Sequence, residues 1–189
     1  MSKKDDIFRI LVVDDNNDLR SIIKEYLSDN GDLVDGACDG KEALKMHMED
    51  RYDLIITDLN MPEMTGIDLM KKIRKNNDIT EFIIITGYAS LDTAVEAIKI
   101  GAFDYIVKPF RMEELKVIVK NAKDKIFLVK TNIELFKKLK KFYDEIERYK
   151  QHNKSDSNVE IPESGNDTER IVAEIKNLEK LVKGRLMIE

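Results

Sequence analysis

Four apolar runs in this 189-residue chain end in residues that can do chemistry. IFRILVV stops at Asp14-Asp15, LIIT at Asp58, FIII at Thr86 and FDYIV at Lys108. A short continuous apolar run marks a strand buried on both faces of a parallel sheet. Such a strand does not end in a carboxylate without cause, because an unpaired buried charge is costly. Taken alone, Asp58 reads first as a turn former or helix cap. Asp14 and Asp15 change that balance. In an open α/β sheet the C-terminal strand ends share one edge, and ligands bind there. Carboxylates meeting at that edge repel by about 1 kcal/mol per close pair in water, and about 4 at an intermediate dielectric. A hard divalent cation relieves the repulsion, and carboxylates, a carbonyl and waters suit Mg²⁺. Lys108 adds a cation for a phosphoryl oxygen and Thr86 a hydroxyl. The set reads as a phosphoryl-acceptor site with a carboxylate nucleophile, a metal, a lysine and a hydroxyl.

The elements that must position these groups alternate along the chain. Strands are predicted at Ile7–Val13, Leu33–Cys38, Asp53–Thr57, Phe82–Thr86 and Phe103–Val107. Helical spacing lies between them. Asn16 caps the first helix, with Leu19, Ile22, Ile23, Tyr26 and Leu27 on one face. Asp39 or Gly40 opens the second, with Ala43, Leu44 and Met48 inward. The third starts near Thr65 and carries Ile67, Leu69, Met70 and Ile73. The fourth, Ser90–Ile100, carries Ala94, Val95, Ala97 and Ile98. Strands separated by helices argue for βαβ units and a doubly wound parallel sheet. The first strand–helix turn, VVDDNNDLR, lacks a glycine-rich dinucleotide fingerprint, and no P-loop pattern occurs. His47, between charged residues, is expected at the surface, and Cys38 as a small buried side chain.

Composition narrows the class. Charged residues make up 37% and the net charge is −5, which argues against general nucleic-acid binding. The balance is uneven: residues 1–110 hold 14 Lys and Arg against 22 Asp and Glu, and residues 111–189 hold 18 against 15. One cysteine excludes an internal disulfide. The N-terminus lacks a signal-peptide core, and no run reaches the ~18 apolar residues of a membrane helix. A cytoplasmic protein with no membrane partner is expected.

Residues 7–120 resemble the receiver domain of bacterial two-component response regulators. The motifs that carry the resemblance are Asp14-Asp15, TDLNMPEMTG around Asp58, TGYAS from Thr86, and GAFDYIVKPF ending in Lys108-Pro109-Phe110. The wording from Gly87 to Phe110 is most similar to receivers of nitrogen-regulator-type activators. The resemblance implies a flavodoxin-like fold with strand order 2-1-3-4-5. It implies phosphoryl transfer from a kinase phosphohistidine to Asp58. Asp15, Asp58 and the Asn60 backbone carbonyl would then bind Mg²⁺ directly, and Asp14 through water. Lys108 would pair with the phosphoryl group, Thr86 and Tyr105 would form a switch pair, and Lys108-Pro109 would be cis. Asn16 departs mildly from the family, where many members have a third acidic residue.

After Phe110 the pattern changes. The last receiver helix is expected to end near Lys125, and the helical pattern runs on to about 150. Leu128, Asn132, Leu135, Leu139, Phe142, Ile146 and Tyr149 form a heptad seam. Val129, Phe136 and Tyr143 widen it beyond a two-helix seam. The expected organisation is a receiver over 1–125, a helical extension over 126–150, a polar linker over 151–165 and a helix over 166–185. The extension joins two chains as a homodimer or bundle, or else packs on its own receiver. Lys137, Lys138, Lys140 and Lys141 lie off the seam and read as a solvated face before a nucleic-acid surface. The expected function is phosphorylation-controlled protein association, with a sensor histidine kinase or phosphotransfer protein upstream. A relay intermediate, a receiver portion of a larger transcription factor or kinase, and a scaffold with an idle receiver remain as alternatives.

Overall fold

The computed structural model describes residues 7–28, 31–75 and 79–153. Five strands form one parallel sheet: β1 (Arg9–Val13), β2 (Leu33–Ala37), β3 (Leu54–Asp58), β4 (Glu81–Thr86) and β5 (Asp104–Val107). Their order is β2-β1-β3-β4-β5, and every pair is parallel. The helices between them are α1 (Asn17–Ser28), α2 (Gly40–Glu49), α3 (Gly66–Arg74) and α4 (Leu91–Ile100). This is the flavodoxin-like order expected from the sequence. The long helix after the sheet is α5 (Met112–Asn153). The expected helix over 166–185 lies outside the described residues, as does most of the linker.

The period-two rule of strands explains the two core layers. Ile10 and Val12 point to one face with Leu54, Ile56, Ile83 and Ile85. There they meet Ile23 and Leu27 of α1, and Leu115, Val119, Ala122 and Ile126 of α5. Leu11, Val13, Ile55 and Phe82 point to the other face and meet Ala43 of α2 and Leu69, Met70 and Ile73 of α3. A sheet covered on both faces needs apolar residues at every strand position, which is why these runs do not alternate.

The helix faces are narrower than their spacing suggests. Ile22, Val95 and Ile98 were expected inward and are exposed. In α2 the buried set is Gly40, Ala43 and His47, and Met48 is 66% exposed. His47, expected at the surface, is only 2% exposed. The reason is a hydrogen bond: its Nδ1 accepts from the Tyr52 backbone N–H at 3.3 Å, satisfying a buried donor where α2 turns into β3. A methionine there would offer only a weak acceptor. Cys38, expected to be buried, is exposed, because β2 ends one residue earlier at Ala37.

The chain divides into two units, the first reaching Ile126 and the second starting at Phe127. In the second, Leu128, Leu135, Leu139, Phe142 and Ile146 are exposed along α5. No helix among the described residues is long and apolar enough to cross a membrane.

Candidate functional site

Asp14 follows the last residue of β1 and Asp58 is the last residue of β3. β1 and β3 are neighbours, with Val13 paired to Thr57, so the two carboxylates reach the same edge. Asp14 and Asp58 are buried, while Asp15 is exposed. One carboxylate oxygen from each lies within 4.8 Å of the others. The backbone helps to aim them. Asn16 N–H donates to Asp14 Oδ1 at 2.9 Å, and Asn60 N–H donates to Asp58 Oδ1 at 3.0 Å. These bonds leave Oδ2 of each residue pointing at a third group.

That group is Lys108, which follows β5. Its Nζ donates to Asp14 Oδ2 at 2.8 Å and to Asp58 Oδ2 at 2.5 Å. Burial alone would lower its pKa, but hydrogen bonds and charge from Asp14 and Asp58 outweigh it, and the net shift is upward. The ammonium therefore stays charged. The Lys108-Pro109 peptide is cis, as the resemblance implied. Lys108 N–H also donates to the Thr86 carbonyl at 2.8 Å, which ties the end of β5 to the end of β4.

The other expected residues fall around this centre. Thr86 is fully buried, and its Oγ1 accepts from Tyr88 N–H at 3.1 Å. Tyr105 is half-buried on β5, and its hydroxyl meets Thr93 Oγ1 at 3.0 Å. Asn60 is exposed. Two supports stand behind these residues, and of the two only Arg20 carries no signal in the sequence. Arg20 Nη1 donates to the Asp14 carbonyl, which fixes the turn after β1 from one helical turn into α1. Gly66 lies so close to Asp58 that a Cβ would come within 2.3 Å of its carbonyl oxygen. Any side chain at Gly66 would push against the residue at the centre of the site. The glycine four residues after Pro62 carried that signal in the sequence.

Three carboxylates cluster here, and one cation, Lys108, is hydrogen-bonded to two of them, Asp14 and Asp58. That chemistry suits a divalent metal, and the Asp14, Asp15 and Asp58 cluster could hold one.

Comparison with known proteins agrees with this geometry. Residues 10–120 match the family described as the response regulator receiver domain. Regulatory protein AtoC of Escherichia coli K12 is 40% identical over 116 residues, which is 61% of this chain and 25% of AtoC. A putative NtrX-like response regulator of Rickettsia bellii is 38% identical over 132 residues, 69% of this chain and 28% of that protein. The matched stretch thus spans about a quarter of the length of these two relatives. A receiver domain protein from Clostridium thermocellum superposes with a TM-score of 0.61 at 35% identity, covering 65% of this chain and 98% of that one. Chemotaxis protein CheY4 of Vibrio cholerae gives 0.58 at 34% identity, covering 61% and 98%. Strand order, edge chemistry and family match converge, and this chain belongs to the response regulator receiver domain family of two-component signalling.

Proposed function

We propose that Asp58 accepts a phosphoryl group from a sensor histidine kinase or phosphotransfer protein, and that this controls protein–protein association. The observation that carries the reading is the lysine-held carboxylate. Asp58 Oδ2 lies against Lys108 Nζ, beside two further acids, at the edge where a sheet of this order binds ligands.

In this reading a carboxylate oxygen of Asp58 attacks the phosphorus of the donor. The new P–O bond forms as the bond to the donor breaks, and the donor leaves with the electron pair. Lys108 moves from the carboxylates to the incoming phosphoryl oxygens, where its charge offsets the charge that builds there. Asp15, Asp58 and the Asn60 carbonyl would hold Mg²⁺ directly, and Asp14 through water. Bound there, Mg²⁺ supplies positive charge to phosphoryl oxygens that three carboxylates would otherwise repel. Thr86 would donate its hydroxyl to the phosphoryl group, with Tyr105 as its partner in the switch.

Residues 1–125 are the receiver in this reading, and the extension over 126–150 is the association segment that makes a homodimer. The exposed Leu128, Leu135, Leu139, Phe142 and Ile146 support it, since a row of apolar side chains along one helix is what a second helix covers. Incubation with acetyl phosphate and Mg²⁺ tests the acceptor by intact mass. One phosphoryl group is expected, none in Asp58→Asn, and none after chelation. Full labelling of Asp58→Asn overturns the assignment. Light scattering tests the segment. Leu139→Glu should convert a dimer to a monomer, because it places two facing carboxylates in the seam without a cation. A monomeric wild type at tens of micromolar overturns the dimer and leaves the acceptor standing.

A further inference from the structure

The N-terminus of α4 is held from two sides by strands that end at the site. Ser90 is its cap. Ser90 Oγ accepts from Thr93 N–H at 3.1 Å, and Thr93 Oγ1 accepts from Ser90 N–H at 3.2 Å. This is a capping box with threonine where glutamate or glutamine is usual. The Thr93 oxygen has further contacts: the Ser90 carbonyl at 3.0 Å, Ser90 Oγ at 2.9 Å and the Tyr105 hydroxyl at 3.0 Å. A hydroxyl has one proton and two lone pairs. Whichever hydroxyl donates, the Thr93 Oγ1–Tyr105 hydroxyl contact latches β5 to the cap.

The second hold comes from β4. Thr86 Oγ1 accepts from Tyr88 N–H, two residues before Ser90. Thr86 also receives Lys108 N–H on its carbonyl, so it sits between the cap and the lysine. A phosphoryl group on Asp58 brings acceptor oxygens to this edge. A Thr86 side chain that rotates toward them takes its Oγ1 away from Tyr88 N–H. Once that bond loosens, the Thr93–Tyr105 contact still ties the cap at the end of the exposed Gly87–Ser90 loop to β5. We infer that Thr93 is a positioning residue for the phosphoryl response: through Tyr105 it holds the α4 cap in the resting arrangement and limits how readily Asp58 is phosphorylated. This rests on the reading of Asp58 as acceptor. The latch opposes the arrangement that accepts phosphate, so releasing it raises the competent fraction.

The probe is acetyl phosphate with Mg²⁺ on the full chain, read as the rate of Asp58 labelling. Thr93→Val removes the latch, and Tyr105→Phe removes it while leaving the capping box. Each should label about threefold to tenfold faster, the range one neutral hydrogen bond controls. The double variant should be no faster than either single, since both break one contact. Thr93→Ser keeps the hydroxyl and should label within about twofold of wild type. Ser90→Ala weakens the cap without touching Tyr105; amide exchange over Leu91–Val95 should rise there with the labelling rate unchanged. Unchanged rates in Thr93→Val and Tyr105→Phe, or effects that multiply in the double variant, overturn the latch alone. A wild type that takes no phosphoryl group overturns the acceptor reading and the latch with it.

Discussion

The two edges of the same sheet handle charge in opposite ways. At the N-terminal edge, acids and bases are matched. Asp32, just before β2, takes both oxygens to Lys123 Nζ at 2.7 Å. Glu81, which opens β4, lies 2.8 Å from Lys125 and 3.6 Å from Arg74. Arg9, which opens β1, lies 3.2 Å from Asp50. The cations also rest on rings: Lys123 on Phe8, Lys125 on Phe103, Arg74 on Phe82 and Arg9 on Tyr52. At the C-terminal edge, Asp14, Asp15 and Asp58 cluster, and one cation, Lys108, pairs with Asp14 and Asp58. The first arrangement sets each carboxylate against a cation without a ligand, although Glu81 Oε2 and Arg9 Nε make no hydrogen bond there. The second has an excess of one sign, and an excess of one sign is what an ion or a phosphoryl group with its metal can answer. Charged residues alone do not mark a site; an unmatched set does.

Breaking the matched edge should have the largest effect on stability. Glu81→Gln keeps the shape of the side chain and removes its charge, leaving Arg74 and Lys125 without their carboxylate. Glu81 is buried, Arg74 mostly so and Lys125 half-exposed, so the loss should be about 2 kcal/mol, below that of a fully buried pair. Lys123→Met leaves the buried Asp32 carboxylate uncompensated and should cost about 1–2 kcal/mol, moderated by the partial exposure of Lys123. Urea melts read both. A loss below about 0.5 kcal/mol in both variants would remove the contrast between the edges.

The unmatched edge should respond with the other sign. Asp14→Asn removes one of three repelling charges and keeps an oxygen for Asn16 N–H. Lys108 still has Asp58. In EDTA this variant should be more stable than wild type by about 1 kcal/mol. With Mg²⁺ the order should reverse, because wild type gains binding free energy that the variant loses. Lower stability of Asp14→Asn in EDTA would mean that the acids are compensated as they stand.

This asymmetry was half legible in the sequence. Asp14, Asp15, Asp58 and Lys108 could be found because each sits where an apolar run stops, and strand ends of a parallel sheet share an edge. The matched edge left no such mark. Its pairs are far apart in the chain, as in Asp32–Lys123 and Glu81–Lys125, and a lone charge beside a strand looks like ordinary solvent exposure. Glu81 was excluded from its strand because a glutamate before FIII reads as a boundary. Its two cations lie in α3 and α5, and nothing local announces them. The same limit explains His47 and Met48. Helical spacing puts both near the buried stripe, and only the Tyr52 N–H decides between them. Spacing gives the period of a face but not its centre, so Ile22, Val95 and Ile98 were assigned inward and lie outside.

The smallest effect concerns reactivity and leaves the fold untouched. Cys38 follows β2 at the same acid-rich edge. The nearby Glu42 carboxylate, with burial and Asp39 adding to it, pushes the thiol up to about 11. Glu42 Oε2 holds the Cys38 N–H at 2.7 Å, and the sulfur lies 3.5 Å from Asp39 Oδ2. A raised thiol pKa favours the neutral form, so the thiolate appears only as pH climbs toward that value. At pH 8 its thiolate share is about 100-fold below that of an ordinary thiol near 9. The greater basicity of the thiolate returns about tenfold in intrinsic rate, by analogy with thiol exchange. Exposed as it is, Cys38 should then react with iodoacetamide about tenfold more slowly than a free cysteine peptide, with a rate still climbing above pH 10. Glu42→Gln keeps an oxygen for the Cys38 N–H and removes the largest cause, so alkylation at pH 8 should speed up severalfold without a change in melting. If the variant reacts at the wild-type rate, the negative excess of this edge does not extend as far as β2.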